Sequence, residues 1–207
     1  QMHSCRDGAN LDDELELNEM PNGVDWNGSI AFLDRDGVLN IGSSDYVNDV
    51  SELIVIEGVA KSVGDLRRNG YRICVVTNQS PIGRGFWDHE RLHLIHNELR
   101  RVLIEKDKDA ILDLVLYCPY APWDDSECRK PRSGMLRDGQ RILRNNSGID
   151  CGNLIENSVM VGDRHTDIMA GIAFGVRSFF IRGSGGLCEV MERILDYADP
   201  GDRVEDL

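Results

Sequence analysis

FLDRDGVLN, residues 32–40, closes the apolar run Ile30–Leu33 with two carboxylates one residue apart, Asp34 and Asp36, followed by Gly37. An unbroken apolar run of this length is what a strand covered on both faces looks like. A carboxylate at its end is held by the sheet, and Gly37 lets the backbone turn sharply beside a ligand. Outward from this stretch the same unit repeats. Residues 59–69 carry apolar side chains at helical spacing and stop at Gly70. Arg72–Val76 is a second apolar, β-branched run, and residues 88–106 form a long amphipathic helix. Leu114–Tyr117 reads as a third strand, followed by a Pro-rich loop over 118–134 and a helix over 134–145. Val159–Val161, a helix over Thr166–Phe174 closed by Gly175, and Ser178–Ile181 complete the order. Short buried strands alternating with helices predict an α/β fold with a doubly wound parallel sheet. Residues 28–207 are expected to form one domain. Residues 1–27 are polar, acidic and aperiodic, and are expected as a poorly ordered extension settling near Trp26.

In a doubly wound sheet the ligand site lies beyond the carboxyl ends of the strands. Four segments deliver polar groups there: Asp34 and Asp36 after the first strand, Thr77 and Asn78 after the second, Arg129 and Lys130 at the end of the loop leaving the third, and Asp163 after the fourth. Any one of these fits a helix cap or a surface turn, but together they are hard to explain as solvated surface.

Two carboxylates so placed divide the work of phosphoryl transfer. One attacks phosphorus as a nucleophile. The other gives a proton to the leaving oxygen and later takes one from water. Like charges held close raise the pKa of one partner, which favours the acid role. A dianionic ester would be repelled by the pair, so a cation is required. Mg²⁺ suits carboxylate, carbonyl and water oxygens, with Asp163 as a further protein ligand. Lys130 can neutralise the transferring phosphoryl group, and Thr77 can hydrogen-bond to it.

The ordered set identifies a family. FLDRDGVLN (32–40), SDYVNDVSELIVIEGV (44–59), VVTNQSPIGRG (75–85), CRKPRSGML (128–136) and VGDRHTD (161–167) resemble the haloacid-dehalogenase (HAD) superfamily of aspartyl phosphatases, in the heptose-bisphosphate and histidinol-phosphate phosphatase branch. The resemblance implies a Rossmann-like HAD fold, with Asp34 as nucleophile, Asp36 as general acid/base, and Thr77 and Lys130 on the phosphoryl group. It also implies Mg²⁺ held by Asp34, the Asp36 carbonyl and Asp163. Asp167 resembles the supporting carboxylate of the last motif, and equally fits a first-turn acid favoured by the helix dipole. The stretches between Asp36 and Thr77, and between Thr77 and Lys130, are too short for a large cap domain, so an open site with no cap or a minimal one is expected.

Asn78, Arg84 and Arg129 are expected to bind substrate. The two arginines are not needed for the transferring group if Lys130 serves it, and a second anion on the substrate would explain both. That favours a sugar bisphosphate over histidinol phosphate, whose far end is cationic. The resemblance points the same way, to D-glycero-D-manno-heptose 1,7-bisphosphate cleaved at C7. A non-catalytic sugar-phosphate-binding protein is the competing class, but it would not need both Asp34 and Asp36. A phosphomutase would want a closing cap to exclude water.

One loop departs from the family. Members of this branch often carry a zinc loop reading Cys-x-His and then Cys-x-Cys before Arg-Lys-Pro. Here Cys118 and Cys128 stand, but Tyr120 and Ser126 occupy the other two positions, so structural Zn²⁺ is not expected. Of the remaining features, His89, His93 and His96 share one helix face and are expected to pack or face solvent. Gly183-Ser184-Gly185-Gly186 is expected as the loop ending the last strand, and His165 faces either substrate or solvent.

Composition narrows the partners. The formal charge of −13 is concentrated at the two ends, among acids such as Asp12, Asp13, Glu14, Glu205 and Asp206. An acidic chain without a basic stripe argues against nucleic acid. No apolar run is long enough to cross a membrane, and no secretion signal is seen. The six cysteines do not form a disulfide framework, since a chain of this length stabilises itself by burial. A cytoplasmic monomer acting on a small phosphorylated sugar is expected.

Overall fold

A computed structural model describes residues 2–148 and 156–207. Cys151 lies outside them. The strands are β1 (Cys5–Arg6), β2 (Ile30–Leu33), β3 (Arg72–Asn78), β4 (Leu114–Cys118), β5 (Val159–Gly162) and β6 (Arg177–Phe180). The helices are α1 (Val59–Arg68), α2 (Ser80–Gly83), α3 (His89–Lys106), α4 (Gly134–Asn145), α5 (His165–Phe174) and α6 (Met191–Leu195). The sheet order is β1-β4-β3-β2-β5-β6. All neighbours are parallel except β1, which runs antiparallel to β4 with Cys5 opposite Tyr117. The sheet is therefore doubly wound, with helices on both faces.

The two-residue period of a strand sorts the core cleanly. Ala31, Leu33, Ile73, Val75, Val115, Val161 and Phe179 face one side, where α1 and α3 bring Val63, Leu66, Leu99 and Leu103. Ile30, Phe32, Cys74, Val76, Leu116 and Met160 face the other, where α4 brings Met135, Leu136, Ile142 and Leu143. The helix boundaries follow local chemistry. Asp88 caps α3, its side chain accepting from the Arg91 N–H at 3.0 Å. Gly70 at φ +87° follows α1, and Gly175 at φ +92° ends α5, both in the left-handed region that suits glycine.

The N-terminal residues lie against the domain rather than apart from it. Besides adding β1, they lay Leu11, Leu15, Leu17 and Met20 on the α4-side core. Arg67 donates to the Glu19 carbonyl at 2.7 Å and Arg72 to the Asn18 carbonyl at 2.9 Å. Both guanidiniums are fixed by the buried carboxylate of Asp113, so they present their remaining donors to the segment. Among the described residues, no helix is long and apolar enough to cross a membrane.

Candidate active site

The carboxyl ends of β2, β3 and β5 open into a cleft of about 1260 Å³. Asp34, Asp36, Thr77, Asn78, Arg84, Arg129, Lys130 and Asp163 all line it, as do Asp167 and His165. Neither inter-motif segment forms a further domain. Residues 41–55 make a small flap, pinned where the Ile41 N–H donates to the Ile54 carbonyl at 2.8 Å.

At the floor, Asp34 prolongs β2, its N–H donating to the Val161 carbonyl at 2.9 Å. Lys130 reaches it from the loop after β4, with Nζ 2.9 Å from Asp34 Oδ1, 2.7 Å from Asp167 Oδ1 and 2.8 Å from the Val76 carbonyl. Asp34, Lys130 and Asp167 are all buried, so the charges must be paired. Asp167 sits in the first turn of α5, its Oδ2 accepting from the Arg164 N–H at 3.0 Å, and its other oxygen lies 2.7 Å from Lys130 Nζ.

Glycines make this crowding possible. A Cβ on Gly37, which sits at φ +79°, would lie 2.0 Å from Asp163 Oδ2, and one on Gly162 would lie 2.1 Å from the Asp167 Cβ.

The carboxylates of Asp34, Asp163 and Asp167 each offer an oxygen within 4.8 Å of the others. Asp163 Oδ1 is buried with no hydrogen-bond partner among the described residues. Burial, followed by the charge of Asp34, pushes Asp163 up to about 6. Burial likewise lifts Asp34 to about 6 against the pull of Lys130. An orphaned buried oxygen among acids that resist ionising is what a hard divalent cation would satisfy.

Asp36 departs from the expectation that a like charge raises its pKa. Burial works upward, but Arg35, Asn40 and Gln79 outweigh it and the carboxyl is held below its ordinary value. Arg35 Nη2 donates to both oxygens at 2.9 and 3.0 Å, Asn40 Nδ2 to Oδ1 at 2.9 Å, and Gln79 Nε2 to Oδ2 at 3.2 Å. The raised acids are Asp34 and Asp163, which lack so many donors.

Asn78 lines the cleft and also braces it. Its amide is engaged with the Lys130 backbone, accepting from its N–H at 3.2 Å and donating to its carbonyl at 3.1 Å. It thereby holds the loop that carries Lys130. Thr77 is buried, its hydroxyl accepting from Gln79 at 2.9 Å. Gln79, Asn40 and Arg164 had not been singled out from sequence. Each lies inside one of the motifs quoted above, and that membership was the available signal.

At the rim, Arg84 stacks over the Trp123 ring at 4.9 Å, and Arg129 donates to the Tyr120 carbonyl at 3.1 Å. Arg164 lies close enough, with Arg84, to help burial hold the Arg129 pKa down. None of the three forms an ion pair among the described residues.

Cys118 and Cys128 are neighbouring thiols with sulfurs 2.9 Å apart, and Ser126 Oγ stands 2.9 Å from the latter. Of the histidines on α3, His96 is fully buried, and His89 Nδ1 meets the Tyr117 hydroxyl at 2.7 Å.

The HAD-hydrolase-like family model matches residues 127–204. The D-glycero-β-D-manno-heptose-1,7-bisphosphate 7-phosphatase of Pseudomonas aeruginosa is 33% identical over 77% of this chain and 84% of its own. The Haemophilus influenzae protein of the same name is 35% identical over 80% and 88%. The crystal structure of D,D-heptose 1,7-bisphosphate phosphatase from B. bronchiseptica, complexed with magnesium and phosphate, superposes with a TM-score of 0.69 at 29% identity, over 82% of this chain and 99% of that one. With relatives at this identity over most of their length, and the phosphatase motifs gathered at one sheet edge, the chain belongs to the HAD-like phosphoric monoester hydrolases, among the heptose-bisphosphate phosphatases.

Proposed function

We propose that this chain hydrolyses D-glycero-D-manno-heptose 1,7-bisphosphate at C7 through an aspartyl phosphate on Asp34. The observation that carries the reading is the buried set at the floor: a carboxylate held by Lys130 at 2.9 Å beside the unpartnered oxygen of Asp163. Asp34 attacks phosphorus while Asp36 gives a proton to the departing sugar oxygen. Asp36 then takes a proton from water, which attacks the acyl phosphate and releases inorganic phosphate. Asp36 is ionised at rest, and a dianionic ester brought beside it favours its protonation. Lys130 and Thr77 offer a charge and a hydroxyl to the phosphoryl oxygens.

Asp34, Asp163 and the Asp36 carbonyl would hold Mg²⁺, which supplies positive charge that lets a dianion approach three acids. In this reading the loop after β4 is held by its own contacts rather than by Zn²⁺. Ala121 N–H donates to Asp124 at 2.7 Å, and the Ser126 hydroxyl to the Met2 carbonyl at 3.2 Å.

Arg84, Arg129 and Arg164, cationic and without an ion pair among the described residues, favour a second phosphate on the substrate over the cationic end of histidinol phosphate. The enzyme works as a cytoplasmic monomer on a soluble sugar phosphate, without nucleic-acid or membrane partners.

The test is phosphate release with Mg²⁺ across heptose bisphosphate, other sugar bisphosphates and histidinol phosphate, with Asp34→Asn as control. Strong preference for the heptose bisphosphate is expected. Equal turnover of histidinol phosphate removes the substrate assignment, and undiminished activity in Asp34→Asn removes the mechanism.

A further inference from the structure

Arg35 stands between the two site carboxylates in sequence, yet its side chain has no exposed surface. A guanidinium is buried only when its donors are taken. Nε and Nη2 go to the Asp36 carboxylate at 3.2 and 2.9 Å, and Nη1 lies 3.2 Å from His96 Nε2. A guanidinium has donors and no acceptor, so Nε2 must be the accepting nitrogen and the imidazole proton sits on Nδ1. Nδ1 faces Asp7 Oδ1 at 3.1 Å. The second Asp7 oxygen is claimed by Arg100 at 2.6 Å and His93 at 3.1 Å. Asp7 directly follows β1, its N–H donating to the Val115 carbonyl at 3.0 Å. Burial, joined by Arg35, keeps His96 neutral by taking it down to about 4. Burial works the other way on Asp7, but the close contact with His96 and the charge of Arg100 bring its carboxyl down to about 2. A line of close polar contacts thus runs from the cleft to the N-terminal segment: Asp36, Arg35 and His96 joined by hydrogen bonds, and His96 Nδ1 set 3.1 Å from the Asp7 carboxylate.

We propose that Asp7 and His96 are positioning residues for Asp36, holding Arg35 so that Arg35 fixes the carboxylate of the general acid/base. The inference rests on the role proposed above for Asp36. Without the anchor, Arg35 is free to follow other acceptors and Asp36 leaves its line to the departing oxygen. The cost then depends on the leaving group. A sugar alkoxide needs the proton, whereas p-nitrophenolate departs without it. A contact that merely pinned β1 to α3 would not distinguish the two.

The experiment measures first-turnover release of the leaving group from a sugar phosphate and from p-nitrophenyl phosphate in wild type, Asp7→Ala and Asp7→Asn. Asp7→Ala is expected to slow the sugar ester about tenfold, a fraction of what a positioned acid supplies, with p-nitrophenyl phosphate slowed no more than about twofold. Asp7→Asn keeps an acceptor for the His96 Nδ1–H and is expected to retain most of the rate on both esters. Equal losses on the two esters, or none on either, overturn the proposal while leaving the phosphatase reading intact. A wild-type protein without turnover overturns that reading instead. ¹⁵N NMR of the unliganded protein reads the line of contacts without turnover. Neutral His96 protonated on Nδ1 is expected, and a proton on Nε2 overturns the arrangement.

Discussion

The floor and the rim of the cleft are built from the same kinds of charged residue under opposite constraints. At the floor, Asp34, Lys130 and Asp167 are 6%, 3% and 1% exposed. Each is tied to backbone: Asp34 to β5, Lys130 to the Val76 carbonyl, Asp167 to the start of α5. At the rim, Arg84 leans on Trp123, itself 69% exposed, and Arg129 hangs from a loop carbonyl. Charges at the floor pay a large desolvation cost unless they are matched, so each depends on its neighbours. Charges at the rim stay near water and can be changed singly. The floor is committed to one reaction, and the rim is free to choose the substrate.

Breaking the floor has the largest expected effect. Lys130→Met leaves Asp34 and Asp167 buried without their cation. Removing one partner of a buried ion pair costs about 3–5 kcal/mol, and losing a preorganised charge at the reacting group costs about 10²–10³ in kcat. Denaturant unfolding and steady-state kinetics check the two together. A variant that keeps both stability and kcat contradicts the floor as described.

The buttress behind the floor gives a pH signature. Unfolded histidine takes a proton near pH 6.5, whereas His96 in the folded protein resists until about 4. The unfolded state therefore binds more protons in that window, and stability falls as pH drops through it, by at most about 3 kcal/mol. In the metal-free protein, Asp34 and Asp163 act with opposite sign, keeping a proton up to about 6 when folded. The His96 contribution is therefore the difference between wild type and His96→Gln, whose amide still offers Arg35 an acceptor and Asp7 a donor. A shallower loss of unfolding free energy between pH 6.5 and 4 is expected in the variant. Identical pH profiles contradict the buried neutral imidazole.

The rim should respond most narrowly. A charged hydrogen bond contributes about 1.5–3 kcal/mol, so Arg129→Ala or Arg84→Ala is expected to lower kcat/KM for the bisphosphate about 10–100-fold. Turnover of the corresponding monophosphate should change no more than about threefold, and stability by no more than about 0.5 kcal/mol. Equal losses on both esters would place these arginines at the floor in function, and erase the distinction.

Much of the floor could be read from the chain because a parallel sheet brings strand ends together. Asp34, Thr77 and Asp163 each follow an apolar run, and the site rule does the rest. What escaped was anything set by side chains meeting across the fold. β1 is two residues long, too short to show a period, and Asp7 looks no different in sequence from Asp12 or Asp13. The like-charge argument for Asp36 weighed only Asp34, because nothing in the string shows that Arg35 folds back onto its own neighbour. Arg67 and Arg72 read as ordinary polar positions until Asp113 is seen between them. The three histidines of α3 were expected to pack or face solvent. His96 does pack, but its partners come from the loop after β2 and the residue after β1.

The central claim is that Asp34 itself takes the phosphoryl group. Borohydride quenching during turnover with Mg²⁺ and the bisphosphate reduces an aspartyl phosphate to homoserine, which mass spectrometry locates in the peptide carrying residue 34. Conversion at Asp34 in wild type, and none in Asp34→Asn, is the predicted result. Conversion at another residue, or steady turnover with no conversion in either protein, would contradict it.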